Sequence, residues 1–183
     1  MPKLAAKDRK KVAKAEATSG EFEPMPPGKY VATLKDVEAK TSGAGNSYWN
    51  AEFEEIHDLD GERFPGRQWY MIMLPIDSMP DDYVPGKNKK AGTKPTKAEQ
   101  VDAWDKYQGL TAGRIKAFFE AFGFSEDSDT DEMIGERCVL QIGVETINQG
   151  PRTGQQTNRV NAVFPLTEDL AEVGADGGSS DDF

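Results

Sequence analysis

The chain has 183 residues, of which 37% are hydrophobic and 30% charged, and its formal net charge is -10. This suits one domain of ordinary size flanked by polar extensions. A single cysteine, Cys138, excludes an internal disulfide, and one histidine beside it leaves too few ligands for a structural zinc site.

Charge is distributed unevenly. Residues 1–20 carry +4, residues 165–183 carry -6, and the stretch between them carries -8. A nucleic-acid binder normally shows a basic footprint, so any such footprint here is local. No apolar run approaches the length of a membrane span, and no signal-peptide core follows the basic start. The expectation is a soluble, cytoplasmic protein without membrane association.

In chain order, KLAAKDRKKVAKAEA (3–17) is rich in Ala and Lys with few apolar anchors. Residues 1–20 are therefore expected to form a basic, flexible arm. Pro24, Pro26, Pro27 and Gly28 then punctuate the approach to a first strand over 29–39, with Tyr30, Ala32 and Leu34 on one face. TSGAGNS (41–47) reads as a flexible loop. A second strand spans 47–56, where alternation puts Trp49, Ala51 and Phe53 on one face and Tyr48, Asn50, Glu52 and Glu54 on the other. DLDGE supplies an Asp-Gly turn. A third strand, RQWYMIML (67–74), is apolar on both faces and so is expected to be covered.

Residues 75–106 hold Lys87, Lys89, Lys90, Lys94 and Lys97 and little hydrophobic periodicity, which reads as a long insertion, mostly loop. A helix is expected over 110–122, with Leu110, Arg114, Ile115, Phe118, Phe119 and Phe122 along one stripe. Gly123 suits the stop position, with Phe124 packing back on Phe119 as in a Schellman ending. The acidic run 125–132 reads as a solvated link. Strands follow over 136–146 and 157–164, joined by a Gly- and Gln-rich hairpin that carries Arg152. Cys138 lies in the first of them as a small core residue. From Pro165 onward the chain is acidic, then rich in Gly and Ser, and reads as a tail.

Five strands with one helix between the third and fourth is the order of an OB-fold, a five-stranded Greek-key barrel. The expected organisation is a mainly β OB domain over 21–166, interrupted by the insertion at 75–106, with a disordered acidic tail over 167–183. Strand order alone does not assign function.

Particular segments go further. PPGKYVATLKDVEAK, the Gly-rich link and YWNAEFEEI resemble the opening of phage-type single-stranded DNA-binding proteins. MIGERCVLQIGVE resembles their step into the fourth strand, and TNRVNAVFPL their returning strand, with Asn158, Val160 and Phe164 in matching places. The resemblance covers about 24–166 apart from the insertion. It implies an OB-fold that coats single-stranded DNA, with little sequence specificity, during phage replication, recombination or repair, in the cytoplasm of a host cell. The ending Asp181, Asp182, Phe183 is similar to the acidic, Phe-terminated tails of such proteins. By that likeness it would recruit a polymerase, helicase, primase or recombinase. A homodimer is compatible with this reading.

Single-strand binders combine a cationic groove with aromatic platforms that stack bases. In an OB-fold the groove crosses the second and third strands. Mapped onto this chain, the candidate DNA-binding residues are Lys35, Lys40, Tyr48, Trp49, Arg63, Arg67, Trp69, Tyr70, Arg152 and Arg159. Trp49 shares a face with Ala51 and Phe53 and reads more as core than as platform. Tyr48, on the opposite face, is the better stacker. Trp69 and Tyr70 point opposite ways, so one packs and one stacks. Arg152 and Arg159 have little structural reason to be basic. The insertion's lysines read either as a flap that reaches nucleic acid or as a solvated loop.

An enzyme is not expected. No nucleophile–base pair, phosphate-binding loop or dinucleotide fingerprint is supported. Glu52, Glu54, Glu55, Asp58, Asp60 and Glu62 cluster as a metal nuclease would require, but a solvated hairpin explains them better, and no metal or cofactor is expected. The alternative class is an acidic protein-interaction module, either a replication adaptor or a DNA mimic that blocks a host enzyme. The -8 of the central stretch favours it.

Overall fold

A computed structural model describes residues 23–175. The basic arm 1–20 and the terminal Asp181, Asp182 and Phe183 lie outside the described residues. The architecture is a mainly β antiparallel sheet with one long helix. In chain order its elements are β1 (Gly28–Thr41), β2 (Ser47–Asp58), β3 (Arg63–Phe64), β4 (Gln68–Met73), α1 (Gly86–Ala91), α2 (Lys97–Ala121), β5 (Arg137–Thr146) and β6 (Gln156–Phe164). Short 3-10 turns occupy Thr130–Met133 and Glu168–Leu170.

The sheet order is β3-β2-β1-β5-β6, and β4 also pairs with β2. β3 and β4 thus share one edge of β2: Phe64 pairs with Ile56, and Gln68 to Met73 pair with Phe53 back to Tyr48. Six strands replace the expected five: β4 is the expected third strand, and β3 is an added two-residue strand in the segment read as a turn, separated from β4 by Pro65, which lacks an N–H, and by Gly66 at φ +98°. β1 and β2 slip register twice, between Val31 and Thr33 and between Leu34 and Asp36. Glu55 lies opposite the first slip, in the left-handed region at φ 51°, and Lys35 is the extra residue at the second. Such bulges bend and twist a sheet. The curl brings β4 and β6 alongside each other, with α2 against both.

Alternation places Leu34, Phe53, Ile56, Ile72, Leu140 and Ile142 in the fully buried core. Removing that apolar surface from water is the main stabilising term. α2 adds Phe118, Phe119 and Phe122, with Phe118 and Phe122 edge-on at 5.3 Å. Met133, on the first 3-10 turn, is fully buried under the same cluster. Backbone bonds seal this end: Gly135 N–H donates to the Leu34 carbonyl (2.8 Å) and Leu34 N–H to that of Glu136 (2.9 Å).

The helix ends as its sequence predicts. Gly123 adopts φ +76° and its N–H donates to the Glu120 carbonyl, while Phe124 N–H donates to that of Phe119. Its start differs from expectation: α2 begins at Lys97, not 110, so much of the insertion is helical. The first turn is fixed by a capping box. Glu99 N–H donates to Thr96 Oγ1, and Thr96 N–H donates to the Glu99 carboxylate. The new N-terminal half packs within the insertion, where Trp104 meets Tyr83 edge-on at 5.1 Å and Tyr107 at 5.6 Å. Leu110, expected on the apolar stripe, is 67% exposed.

Two clasps close the domain's ends. Asn158 of β6 accepts from Met25 N–H and donates back to the Met25 carbonyl, both at 2.9 Å. Arg137 donates to the carbonyls of Ala171 and Val173, so the acidic stretch is folded onto the sheet as far as Gly174, which packs against the His57 ring. Among the described residues, no helix is long and apolar enough to cross a membrane.

Candidate nucleic-acid interface

The outer face of β1, β2 and β4 is a grid set by strand register. Lys40, Tyr48 and Met73 form one row; Glu38, Asn50 and Met71 the next; Asp36, Glu52 and Trp69 the third. Residues directly opposite on antiparallel strands present their side chains to the same side. Inside, the corresponding pairs are Trp49 with Ile72, Ala51 with Tyr70, and Phe53 with Gln68.

The expectation that β4 is covered on both faces fails. Trp69 is 53% exposed and Met71 56% exposed, whereas Tyr70 and Ile72 are buried. Two large apolar side chains on the outer face are therefore left largely in water. Scattered apolar exposure is ordinary, but two neighbours on one strand make a patch. The ambiguity between Trp69 and Tyr70 is thereby resolved: Tyr70 packs and Trp69 is free. Burial raises the Tyr70 phenol above its ordinary range, with Arg114 opposing that shift. Trp49 packs against the core, edge-on to Phe119 at 6.0 Å. Tyr48, half-buried, sits on the outer face between Lys40 and Met73.

The cations on this face are paired. Arg67 donates to Glu52 Oε1 at 2.7 Å, and Lys35 Nζ lies 3.5 Å from the same oxygen. Glu52 therefore holds two cations beside Trp69, its partner across the strands. Lys40 pairs with Glu38 at 2.8 Å, and that bond raises the lysine's pKa. Arg159 on β6 donates to Glu145 at 3.1 Å. Charges thus alternate and cancel across the face, in neither a wholly basic nor a wholly acidic field.

A groove of about 360 Å³ runs between β4 and β6, lined by Trp69, Met71, Arg114, Glu145, Arg159 and Asn161 among others. Of the sequence-predicted residues, Lys35, Tyr48, Arg67, Trp69 and Arg159 belong to this face and groove, with Lys40 at the edge. Trp49, half-buried, packs on the core, and Tyr70, buried, also lines the groove. Arg63 lies elsewhere, lining a concavity with His57, Leu59 and Glu172. Arg152 sits at the β5–β6 hairpin tip, donating to Gln155 Oε1 at 3.1 Å. Met71, Arg114 and Asn161 were not anticipated. Met71 was discoverable, because it shares strand parity with Trp69.

The carboxylate cluster is put to structural use. Asp58 Oδ1 accepts from the N–H groups of Asp60 (3.0 Å) and Glu62 (2.8 Å) and so holds the turn whose Gly61 has φ +89°. Glu52 belongs to the ion-paired face instead. No protein-family model matches the chain, and no curated protein matches it.

Proposed function

We propose that the chain is an OB-fold single-stranded DNA-binding protein without enzymatic activity. The observation that carries the reading is the exposed Trp69–Met71 pair, flanked by Arg67, Lys35 and Arg159, on the outer face of the β2–β4 hairpin. A base stacked on an aromatic platform contributes about 1–3 kcal/mol, and platforms tolerate any base. The neighbouring guanidinium and ammonium groups supply phosphate contacts once released from Glu52 and Glu145. Strand order supports the OB assignment: β1 lies between β2 and β5, β4 lies outside β2, and β4 approaches β6.

On this reading the protein coats single strands in phage DNA replication, recombination or repair, in the cytoplasm of the host cell. Asp181, Asp182 and Phe183 recruit a replication or recombination protein, with Phe183 in an apolar pocket and the carboxylates toward basic side chains. Binding of oligo-dT to the protein and to Trp69→Ala, followed by fluorescence, tests the platform. Unaltered affinity in the variant would remove it.

A second reading rests on the self-neutralised face. Each candidate cation beside Trp69 is within salt-bridge distance of a carboxylate, as suits an acidic protein-interaction module whose apolar patch meets a protein. The oligo-dT titration separates the two: an interaction module would bind neither the single strand nor a duplex.

A further inference from the structure

We propose that the helical insertion is a second phosphate-binding surface, a lysine ridge that takes up the backbone of a single strand as it leaves the β4 platform. Residues 86–98 contain five lysines, Lys87, Lys89, Lys90, Lys94 and Lys97, and no acidic residue, in a chain whose net charge is -10. All five are exposed, and among the described residues none forms an ion pair. The cations of the sheet face are the opposite case, each already held by a carboxylate. Among the described residues, half of the ten cations outside any ion pair lie within this one stretch, the others (Lys29, Arg63, Arg114, Arg137 and Arg152) being scattered along the chain.

The ridge is built rather than loose. Asn88, buried between the lysines of α1, donates through Nδ2 to Thr93 Oγ1 (3.2 Å) and to Glu99 Oε2 (3.3 Å). That same carboxylate oxygen accepts from Thr96 N–H, so one knot fixes α1 against the first turn of α2. Gly92, left-handed at φ 65°, closes α1. Gln100 donates to the Tyr83 carbonyl at 2.7 Å, and Gln108 reaches back to the Ile76 carbonyl. Asp81 and Asp82 precede the ridge without forming an ion pair with it, and the charge of Lys87 adds to the hydrogen bonds that lower the Glu99 carboxyl. With the backbone held, binding a polyanion orders only side chains.

The occupant follows from charge and continuity. Trp69, Met71 and Met73 share one face of β4, and the chain passes from Met73 through Leu74, whose N–H donates to the Ser47 carbonyl, into the insertion. On this proposal a strand stacked on that face continues onto the lysines. This inference rests on the single-strand reading above for its occupant.

The test compares the full chain with a variant in which all five lysines are changed to glutamine, on oligo-dT of about 10 and about 30 nucleotides, the shorter being within the span of one OB module. The expected result is a loss of ten-fold or more in affinity for the longer oligonucleotide only. Its log affinity–log salt slope should also flatten by about 0.7 per phosphate contact removed. Equal slopes for the two proteins, with both oligonucleotides bound, would overturn the ridge while leaving the platform intact. So would an unchanged slope with capture of a peptide copy of residues 165–183, which would assign the ridge to acidic protein. Failure of either oligonucleotide to bind the parent protein would overturn both readings. Trp69→Ala separates them from the other side, because it should weaken both lengths and leave the slope unchanged.

Discussion

Adjacent residues Trp69 and Tyr70 should divide cleanly between binding and stability. Trp69 is 53% exposed and Tyr70 8% exposed, on opposite faces of one strand. Trp69→Ala removes a side chain that touches mostly water, so its effect on stability should stay within about 1 kcal/mol. If it is the stacking platform, the loss of about 1–3 kcal/mol from binding corresponds to about 5- to 150-fold in Kd. Tyr70→Ala instead opens a cavity among Ala51, Phe118 and the rest of the core cluster, and buried aromatic truncations cost roughly 3–5 kcal/mol. Urea unfolding followed by circular dichroism gives stability, and fluorescence titration with oligo-dT gives affinity. The refuting pattern is a Tyr70→Ala protein of unchanged stability, or a Trp69→Ala protein that unfolds while retaining full affinity when folded.

Three further outcomes are expected. Burial pushes the Cys138 thiol far above its ordinary range, so it should resist a thiol reagent in the folded state and react only as fast as the protein opens; rapid labelling at neutral pH would contradict its placement. Arg137→Ala should free residues 167–175, seen as faster hydrogen exchange there and unchanged protection in β5 and β6. The Thr96–Glu99 box makes the start of α2 sensitive to acid. Hydrogen bonds from Thr96 N–H and then Asn88 hold the Glu99 carboxyl below the usual glutamate range, with Lys87 adding a little. A depressed carboxylate stabilises the folded state above the unfolded pKa, and that contribution is lost as pH falls through the folded value. Exchange of the first α2 amides should therefore rise on acidification, and Thr96→Ala should reproduce part of it at neutral pH, at a cost of about 1 kcal/mol.

Much of this architecture is legible in the residues themselves. Period-two alternation located β2 and put Trp49, Ala51 and Phe53 on one face, which the structure turns toward the core. Gly123 and Phe124 marked the helix stop. The helix start was hidden because Lys97–Gly109 lacks an apolar stripe; that half packs on Tyr83 within the insertion, not on the main core. Thr96 and Glu99, at capping-box spacing, were the available signal. The orientation of Trp69 against Tyr70 was illegible for a different reason. In QWYMIM both parities are apolar, and only the register with β2 decides which one meets the core. The pairing of Lys35 and Arg67 on Glu52 depends on the bulge at Lys35 and on contacts between strands, which no local pattern reports.

The most direct test is a titration of the full-length protein with oligo-dT and with a duplex of equal length at low salt, followed by tryptophan fluorescence. The account predicts tight, salt-sensitive binding of the single strand, much weaker binding of the duplex, and loss of most of the quenching in Trp69→Ala. No preference for the single strand over the duplex would contradict it.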